Sequence, residues 1–365
     1  MSTSPSSAPS PLGTPSPVLV VGTGLVGTSV GLALTAAGAD VWLRDADPAT
    51  AAVAAKRGAG SVDRSGPVAC VLVAVPPAYV ADVVTDALTG HPEAVVTDVG
   101  SVKQAPLETL QRTVDAAALS RYVGGHPMAG SEQSGPWYAS AELFHGRAWA
   151  VTPHQHSSPE AVQVVSDLAL ATGATVVRMD PREHDLAVAR VSHLPHLLSV
   201  LAAAQLDGAP ADHLALSGQG LRDVTRVAGG DPAMWGQILG ANRHAVQNLL
   251  EAVREDLDRL IVGLAEAPGE VDTVLRRGLD GTRRIPAKHG GPARAEAVVV
   301  VALPDRPGEL ARLFTDARQS GVNIEDLRID HDPGRPVGLV EVVVQAAAAD
   351  RFVAALAERG WSAHR

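Results

Sequence analysis

Five short clusters in this 365-residue chain carry groups able to move a proton or hold an anion. The first is Gly22-x-Gly24-x-x-Gly27, with Asp45 further along the chain. A glycine turn that opens a helix presents backbone N–H groups to a pyrophosphate, and a carboxylate ~20 residues on can accept from ribose hydroxyls. DVGSVK (residues 98–103) carries Ser101, and GGHPMAGSE (residues 124–132) carries His126. His126 stands among glycines. A neutral imidazole there can accept a proton near pH 7, whereas tied to backbone it would only brace a turn. Ser192-His193-Leu194-Pro195-His196 falls within a helical stretch, where both histidines could equally be satisfied side chains beside a proline kink. Zinc fits that pair poorly, because no third ligand or catalytic glutamate stands at metal-site spacing. RDVTR (residues 222–226) puts Arg222 and Arg226 on one helix face, as an anion grip or as surface charges paired to Asp223.

These groups need elements to hold them. VLVVGTGLVG (residues 18–27) reads as a buried strand running into the glycine turn, with a helix from Thr28 to Ala37. Further strands are expected over Asp40–Leu43, Ala69–Val75 (stopped by Pro76-Pro77) and Ala94–Asp98, with Arg147–Pro153 and Thr175–Met179 extending the same sheet. Strands alternating with helices make residues 18–179 a Rossmann-type α/β domain with a parallel sheet. Gly22 makes the tight turn, Gly24 lets backbone approach a pyrophosphate, and Gly27 allows helix–strand packing. With Thr23, Leu25, Val26, Asp45, Val75 and Pro76 they form the expected dinucleotide site. Asp45 favours NAD, while Arg44 beside it leaves room for a 2′-phosphate, so NADP stays open.

At Asp180 the period changes. Asp180-Pro181-Arg182-Glu183 is a helix start, and residues 180–284 read as an all-α substrate and dimerisation domain. Asp231-Pro232 repeats the signal before a helix of roughly 30 residues, with Ile238, Val246, Leu250, Leu257 and Leu264 on an apolar face broad enough for a homodimer. Residues 285–295 are a Gly/Pro linker, and residues 296–365 a small α+β unit in βαββα order with a short last strand after Trp361. Residues 1–17, rich in Ser and Pro, read as a disordered tail.

Composition narrows the partners. Lys+Arg 30 against Asp+Glu 40 gives a net charge of −10, which leaves no basic excess for nucleic acid or an anionic membrane. Aromatic residues make up 3%, too few for base-stacking platforms. The single cysteine, Cys70, excludes a disulfide framework within one chain and suits a reducing cytoplasm. No stretch combines ~18 apolar residues with the absence of charge and glycine that a membrane span needs.

In order and spacing, VGTGLVG (21–27), DVGSVK (98–103), GGHPMAGSE (124–132), VSHLPH (191–196), RDVTR (222–226) and DPAMW (231–235) resemble the prephenate dehydrogenases, including relatives that prefer arogenate. The tail, with DRPGEL (305–310) and GVNI (321–324), resembles an ACT domain, a βαββαβ module that often binds amino acids. The resemblance implies oxidative decarboxylation: a hydride passes from the ring carbon bearing the hydroxyl to the nicotinamide, CO2 departs and the ring aromatises. By the same likeness His126 draws off the hydroxyl proton, and Ser101 orients that histidine and touches the substrate. Arg226 grips the ring carboxylate, and Ser192, His196 and Glu132 line the pocket. Arg222 stands where some relatives have lysine. Tyrosine or a related amino acid is the implied effector of the tail.

Physical chemistry agrees. Loss of a hydride leaves positive character at a carbon whose hydroxyl proton must go, which calls for a neutral imidazole active above ~pH 6.5. A substrate with two carboxylates entering a −10 protein needs a local guanidinium pocket. A non-catalytic NAD and amino-acid sensor would need no proton acceptor. A β-hydroxyacid dehydrogenase would place a lysine where this chain has Ser192, His193 and His196.

Overall fold

The computed structural model describes residues 13–130, 133–285, 295–330 and 337–365. Four short strands set the frame: β1 (Val18–Val21), β2 (Val41–Arg44), β3 (Cys70–Val73) and β4 (Val95–Asp98). They lie in the order β2-β1-β3-β4, all parallel, with Val18 opposite both Val41 and Cys70. A parallel sheet is covered on both faces, and two cores flank this one. Val20, Leu34, Leu43 and Leu72 belong to the first; Leu19, Val71, Val84 and Leu110 belong to the second. The covering helices are α1 (Leu25–Ala36), α2 (Pro48–Lys56), α3 (Val80–Gly90), α4 (Gln104–Thr113), the single turn α5 (Ala116–Leu119) and α6 (Pro159–Ala171). α1 starts at Leu25 rather than at the expected Thr28, because Gly24 is its N-cap.

The sheet is not parallel throughout, as the strand and helix pattern had suggested. β5 (Gly124–Pro127), β6 (Ala148–Thr152) and β7 (Thr175–Arg178) form a three-stranded sheet in which β5 runs antiparallel to β6 and β6 parallel to β7. It joins the first sheet through a bridge between Val96 and Tyr122. The glycine-bounded segment expected as a turn therefore carries His126 on a strand. Two glycines and a proline hide that strand from any propensity argument.

The helical region opens at Asp180, whose side chain accepts from the Arg182 N–H at 2.8 Å, with Pro181 in the first turn of α7 (Pro181–Val188). Between α7 and α8 (Leu194–Ala204) the chain makes a π turn over Ala189–His193. Pro195 has no N–H to donate to the preceding turn, and the wider turn absorbs the mismatch where a kink was expected. By length and composition the run Pro181–Ala204 is apolar enough to cross a membrane, where the sequence pattern led us to expect no such stretch. The π turn and the buried His184, Asp185, His193 and His196 mark it as a wall of a polar site. α9 (Ala211–Leu214) and α10 (Gln219–Arg226) follow. The single long helix expected from Asp231 is two helices, α11 (Pro232–Ala241) and α12 (Arg243–Ala265), broken at Asn242. α13 (Pro268–Thr282) ends the helical region.

Chain contacts divide the protein into two units, one of residues up to Asp207 with Thr225–Val253, the other of Gly208–Val224 with Arg254–Arg365. The second contains an antiparallel sheet in the order β11-β8-β10-β9, from β8 (Glu296–Pro304), β9 (Asp326–Asp330), β10 (Val337–Gln345) and β11 (Ser362–His364). α14 (Glu309–Gln319) and α15 (Ala346–Glu358) close its core of Val299, Val301, Leu313, Val342, Phe352 and Leu356. The tail and linker expectations at residues 1–12 and 286–294 lie outside the described residues.

Candidate active site

The four parallel strands end on one side of the sheet. There the chain delivers the glycine turn after β1, Asp45 after β2, Val75 and Pro76 after β3, and Gly100–Lys103 after β4. Crevices at the carboxyl ends of such strands are where open α/β sheets bind ligands.

Gly22 has φ +95°, and a Cβ there would collide with the Ala74 carbonyl oxygen. At Gly24 a Cβ would meet nothing within 4 Å, so the backbone borders open space at the N-terminus of α1. No side chain caps that terminus and no acidic residue stands in its first turn, which suits a pyrophosphate. Asp45 accepts on Oδ2 from the Thr23 N–H at 2.6 Å and the Thr23 hydroxyl at 2.8 Å, and on Oδ1 from the Asp47 N–H at 2.9 Å. These bonds lock the carboxylate against the glycine turn, where ribose hydroxyls would meet it. The residues fit a dinucleotide.

Beyond β4 lies a buried ion pair. Lys103 and Asp98 are 1% and 0% exposed; the ammonium donates to Asp98 Oδ2 and to the Gly125 carbonyl at 2.7 Å. Asp98 also accepts from the Tyr122 hydroxyl at 2.8 Å and the Gly100 N–H at 2.9 Å. Burial, then the Asp98 charge, pushes the Tyr122 phenol well above its ordinary range. The network ties the loop after β4 to β5. Gly125 must be glycine here, because a Cβ would lie 2.9 Å from both the Asp98 carbonyl oxygen and the Trp149 indole nitrogen.

His126 follows on β5, half-buried, with Nδ1 2.9 Å from Nε2 of His184. His184 Nδ1 lies 2.8 Å from Asp185 Oδ1. Asp185 in turn accepts from the Lys103 N–H at 2.8 Å and the Gln104 N–H at 2.9 Å, at the start of α4. Burial chiefly, then the neighbouring His184, Lys103 and His193, holds the His126 imidazole well below its usual range, so it is neutral near pH 7. His193 is buried too, and its ring is held down to about 4 by burial. The Asn242 side chain, at the break between α11 and α12, donates to the Asp185 carbonyl at 2.8 Å and lies 3.3 Å from His193 Nδ1. His196 stacks on Trp235, with ring centroids 3.6 Å apart and planes within 6°.

Ser101 lines a cavity with Pro77, Ala78, Gly100, Ala105 and Ala241. Among the described residues, the side chain hydrogen-bonded to His126 is His184, not Ser101. Ser192 is half-buried in the π turn. Arg226 ends α10 and is exposed; the next residue, Val227, hydrogen-bonds the His196 ring through its backbone. Arg222 is exposed on α10 and belongs to the second unit. Glu132 lies outside the described residues. Sequence reasoning missed His184, Asp185 and Asn242, and placed Lys103 and Trp235 in its motifs without giving either a role. A signal for two of them was present: Pro181, His184, Asp185 and Val188 share the buried face of α7, where a polar pair needs partners.

A glycine turn that fits a pyrophosphate, on a parallel sheet bridged to the strand that carries His126, is the arrangement of a Rossmann-type dinucleotide-dependent oxidoreductase. The chain belongs to the prephenate dehydrogenase family. Residues 30–178 match the family's nucleotide-binding domain and residues 180–276 its dimerization domain. The chain is 35% identical over 361 residues to the probable prephenate dehydrogenase NovF of Streptomyces niveus, covering 95% of this chain and 99% of that one. It is 30% identical over 244 residues to the prephenate dehydrogenase of Bacillus subtilis (strain 168), covering 65% and 64% respectively. The solved structure of prephenate dehydrogenase from A. aeolicus, in complex with hydroxyphenyl propionate and NAD+, matches with TM-score 0.65 at 26% identity, over 73% of this chain and 96% of that one.

Proposed function

We propose that the protein catalyses the NAD-dependent oxidative decarboxylation of prephenate to 4-hydroxyphenylpyruvate, in tyrosine biosynthesis. The observation that carries the reading is His126, kept neutral on β5 next to the loop that Lys103 clamps. Gly22, Gly24 and Asp45 would hold NAD, which would supply the acceptor for the hydride of the ring carbon that bears the hydroxyl. His126 accepts the proton of that hydroxyl, and Ser101 touches the same group from the cavity wall. Arg226 grips the ring carboxylate with its planar fork. By family likeness, Ser192, His196, Glu132 and Arg222 are further candidates for substrate binding. Departure of CO2 lets the ring aromatise, so the protein needs chiefly to position the ring and exclude water. The test is to incubate the protein with NAD and prephenate and follow reduced-nicotinamide absorbance. No rise under conditions where a known family member turns over would refute the activity.

The same reading divides the chain into a dinucleotide domain (18–179), a helical substrate domain (180–284) and a regulatory module (296–365), and places it in the cytoplasm. Cys70 supports that compartment only as a buried, unreactive thiol, pushed up to about 12 by burial. A homodimer is proposed from the helical region, where Leu257, Ile261, Leu264, Leu275 and Leu279 are exposed. Sedimentation of a monomer at micromolar concentration would defeat it. The βαββαβ module is read as ACT-like, with tyrosine or a related amino acid as its effector.

A further inference from the structure

We propose that His184 and Asp185 are positioning residues that fix the tautomer of His126 and take up its second proton, a role that rests on His126 as the proton acceptor. Hydrogen-bond accounting carries the argument. Both Asp185 oxygens accept from backbone N–H groups, Oδ1 from Lys103 and Oδ2 from Gln104, so the side chain is an acceptor on both edges. The His184 nitrogen facing Oδ1 at 2.8 Å, Nδ1, therefore carries the hydrogen. In a neutral ring this leaves Nε2 of His184 as a lone pair. His126 Nδ1, 2.9 Å from that lone pair, must then be the N–H donor, and the basic nitrogen of His126 is Nε2. A carboxylate thus sets a tautomer through one intervening ring, the logic by which an acid orients a catalytic histidine, extended by one link.

Burial gives the chain a direction. His184 is 1% exposed and Asp185 is buried, whereas the His126 ring is half-buried, so the open end of the relay is His126. The step balances within these residues. The O–H bond of the ring hydroxyl breaks as its proton joins His126 Nε2, and the freed electron pair forms the C=O bond of a ring ketone as the hydride leaves the same carbon. The Nδ1 proton of His126 then passes to His184 Nε2. The resulting imidazolium on His184 sits against the Asp185 carboxylate until CO2 departs; the C–C electron pair then flows through the ring onto the oxygen, and the proton returns by the same path from His126 Nε2 to give the phenol. Among the described residues, the other charged and titratable groups around the relay are Lys103, Asp98, Tyr122, His193 and His196; Lys103 and a charged His193 oppose a positive charge on His126. The Asp185 carboxylate is the counter-charge that makes the transfer tolerable in a buried site.

The test uses the full-length enzyme and four variants: His126→Asn, His184→Gln, His184→Leu and Asp185→Asn. His184→Gln keeps a neutral acceptor for His126 Nδ1–H but cannot take a proton; His184→Leu removes both functions. We expect kcat to fall about 10²-fold or more in His184→Leu, within the range of general-base effects. His184→Gln should recover part of that loss, and NAD affinity should stay near wild type in both. Nitrogen NMR of histidine-labelled protein should show wild-type His126 as the Nδ1–H tautomer, with that signature lost in His184→Leu and kept in His184→Gln. Asp185→Asn should move the acid limb of the kcat profile to lower pH, since a lost negative charge disfavours the imidazolium; a structural defect alone would not move it. Because Asp185 also caps α4, the two His184 variants carry the test if Asp185→Asn does not fold. Wild-type kcat and an unchanged His126 tautomer in His184→Leu, with His126→Asn inactive, would overturn the relay alone. An active His126→Asn would overturn the assignment of His126 itself.

Discussion

At the scale of single residues, the protonation state of His126 sets how the activity should depend on pH. In the proposed mechanism His126 accepts a proton only as neutral imidazole, and the fold holds its titration well below the ordinary value of ~6.5. The acid limb should therefore lie below pH 6.5, with kcat flat on that side around neutrality and falling as pH drops through the lowered value. A limb centred at or above ~6.5 would show that burial does not govern the ring. His126→Asn should lower kcat by ~10²–10⁴-fold with NAD affinity near wild type. The histidine itself was legible in the sequence through its glycine setting and its family likeness. The partner at its Nδ1 was not, because His184 lies in a stretch whose visible signal was only a helix start. Asp45 supports a second prediction. Its carboxylate is locked by Thr23 and the Asp47 N–H beside the glycine turn, where a 2′-phosphate would be repelled. Asp45→Ser should raise the use of NADP relative to NAD; a wild-type enzyme that already uses both equally would remove Asp45 from cofactor choice.

At the scale of elements, positioning depends on links between segments far apart in sequence. Lys103 connects the loop after β4 to β5 through Asp98 and the Gly125 carbonyl, and its own N–H is held by Asp185 from α7. Removing one partner of a buried ion pair leaves an uncompensated charge, at a cost of ~3–5 kcal/mol. Lys103→Met should lose stability of that order in denaturant unfolding, and Lys103→Met combined with Asp98→Asn should recover part of it. A loss below ~1 kcal/mol in the single variant would mean that the pair is not what fixes β5. The parallel strands were readable as short apolar runs, and the helix starts at Asp180 and Asp231 as proline-led caps. β5 was unreadable because Gly124 and Gly125 are chosen for close approach to Thr152, Asp98 and Trp149, not for strand propensity. The break at Asn242 was equally hidden: a side chain buried to serve Asp185 and His193 interrupts an apolar pattern that continues on both sides.

At the scale of the whole molecule, the C-terminal module has a core of its own, with Val299, Val301, Val342, Phe352 and Leu356 fully buried within a four-stranded sheet and two helices. A segment that satisfies its own sheet and core has no need of the Rossmann-type strands to fold, which makes its removal a clean test of the regulatory role proposed for it. An effector acts through different affinities for active and inactive states, and the coupling is reciprocal. If tyrosine binds this module, deleting residues 296–365 should leave prephenate oxidation in place and abolish the response to tyrosine. In the full-length enzyme, tyrosine inhibition should then be non-competitive in character and accompanied by a change in tyrosine affinity when prephenate and NAD are present. Equal inhibition with and without the module, competitive with prephenate, would instead place the amino acid in the substrate site proposed around His126.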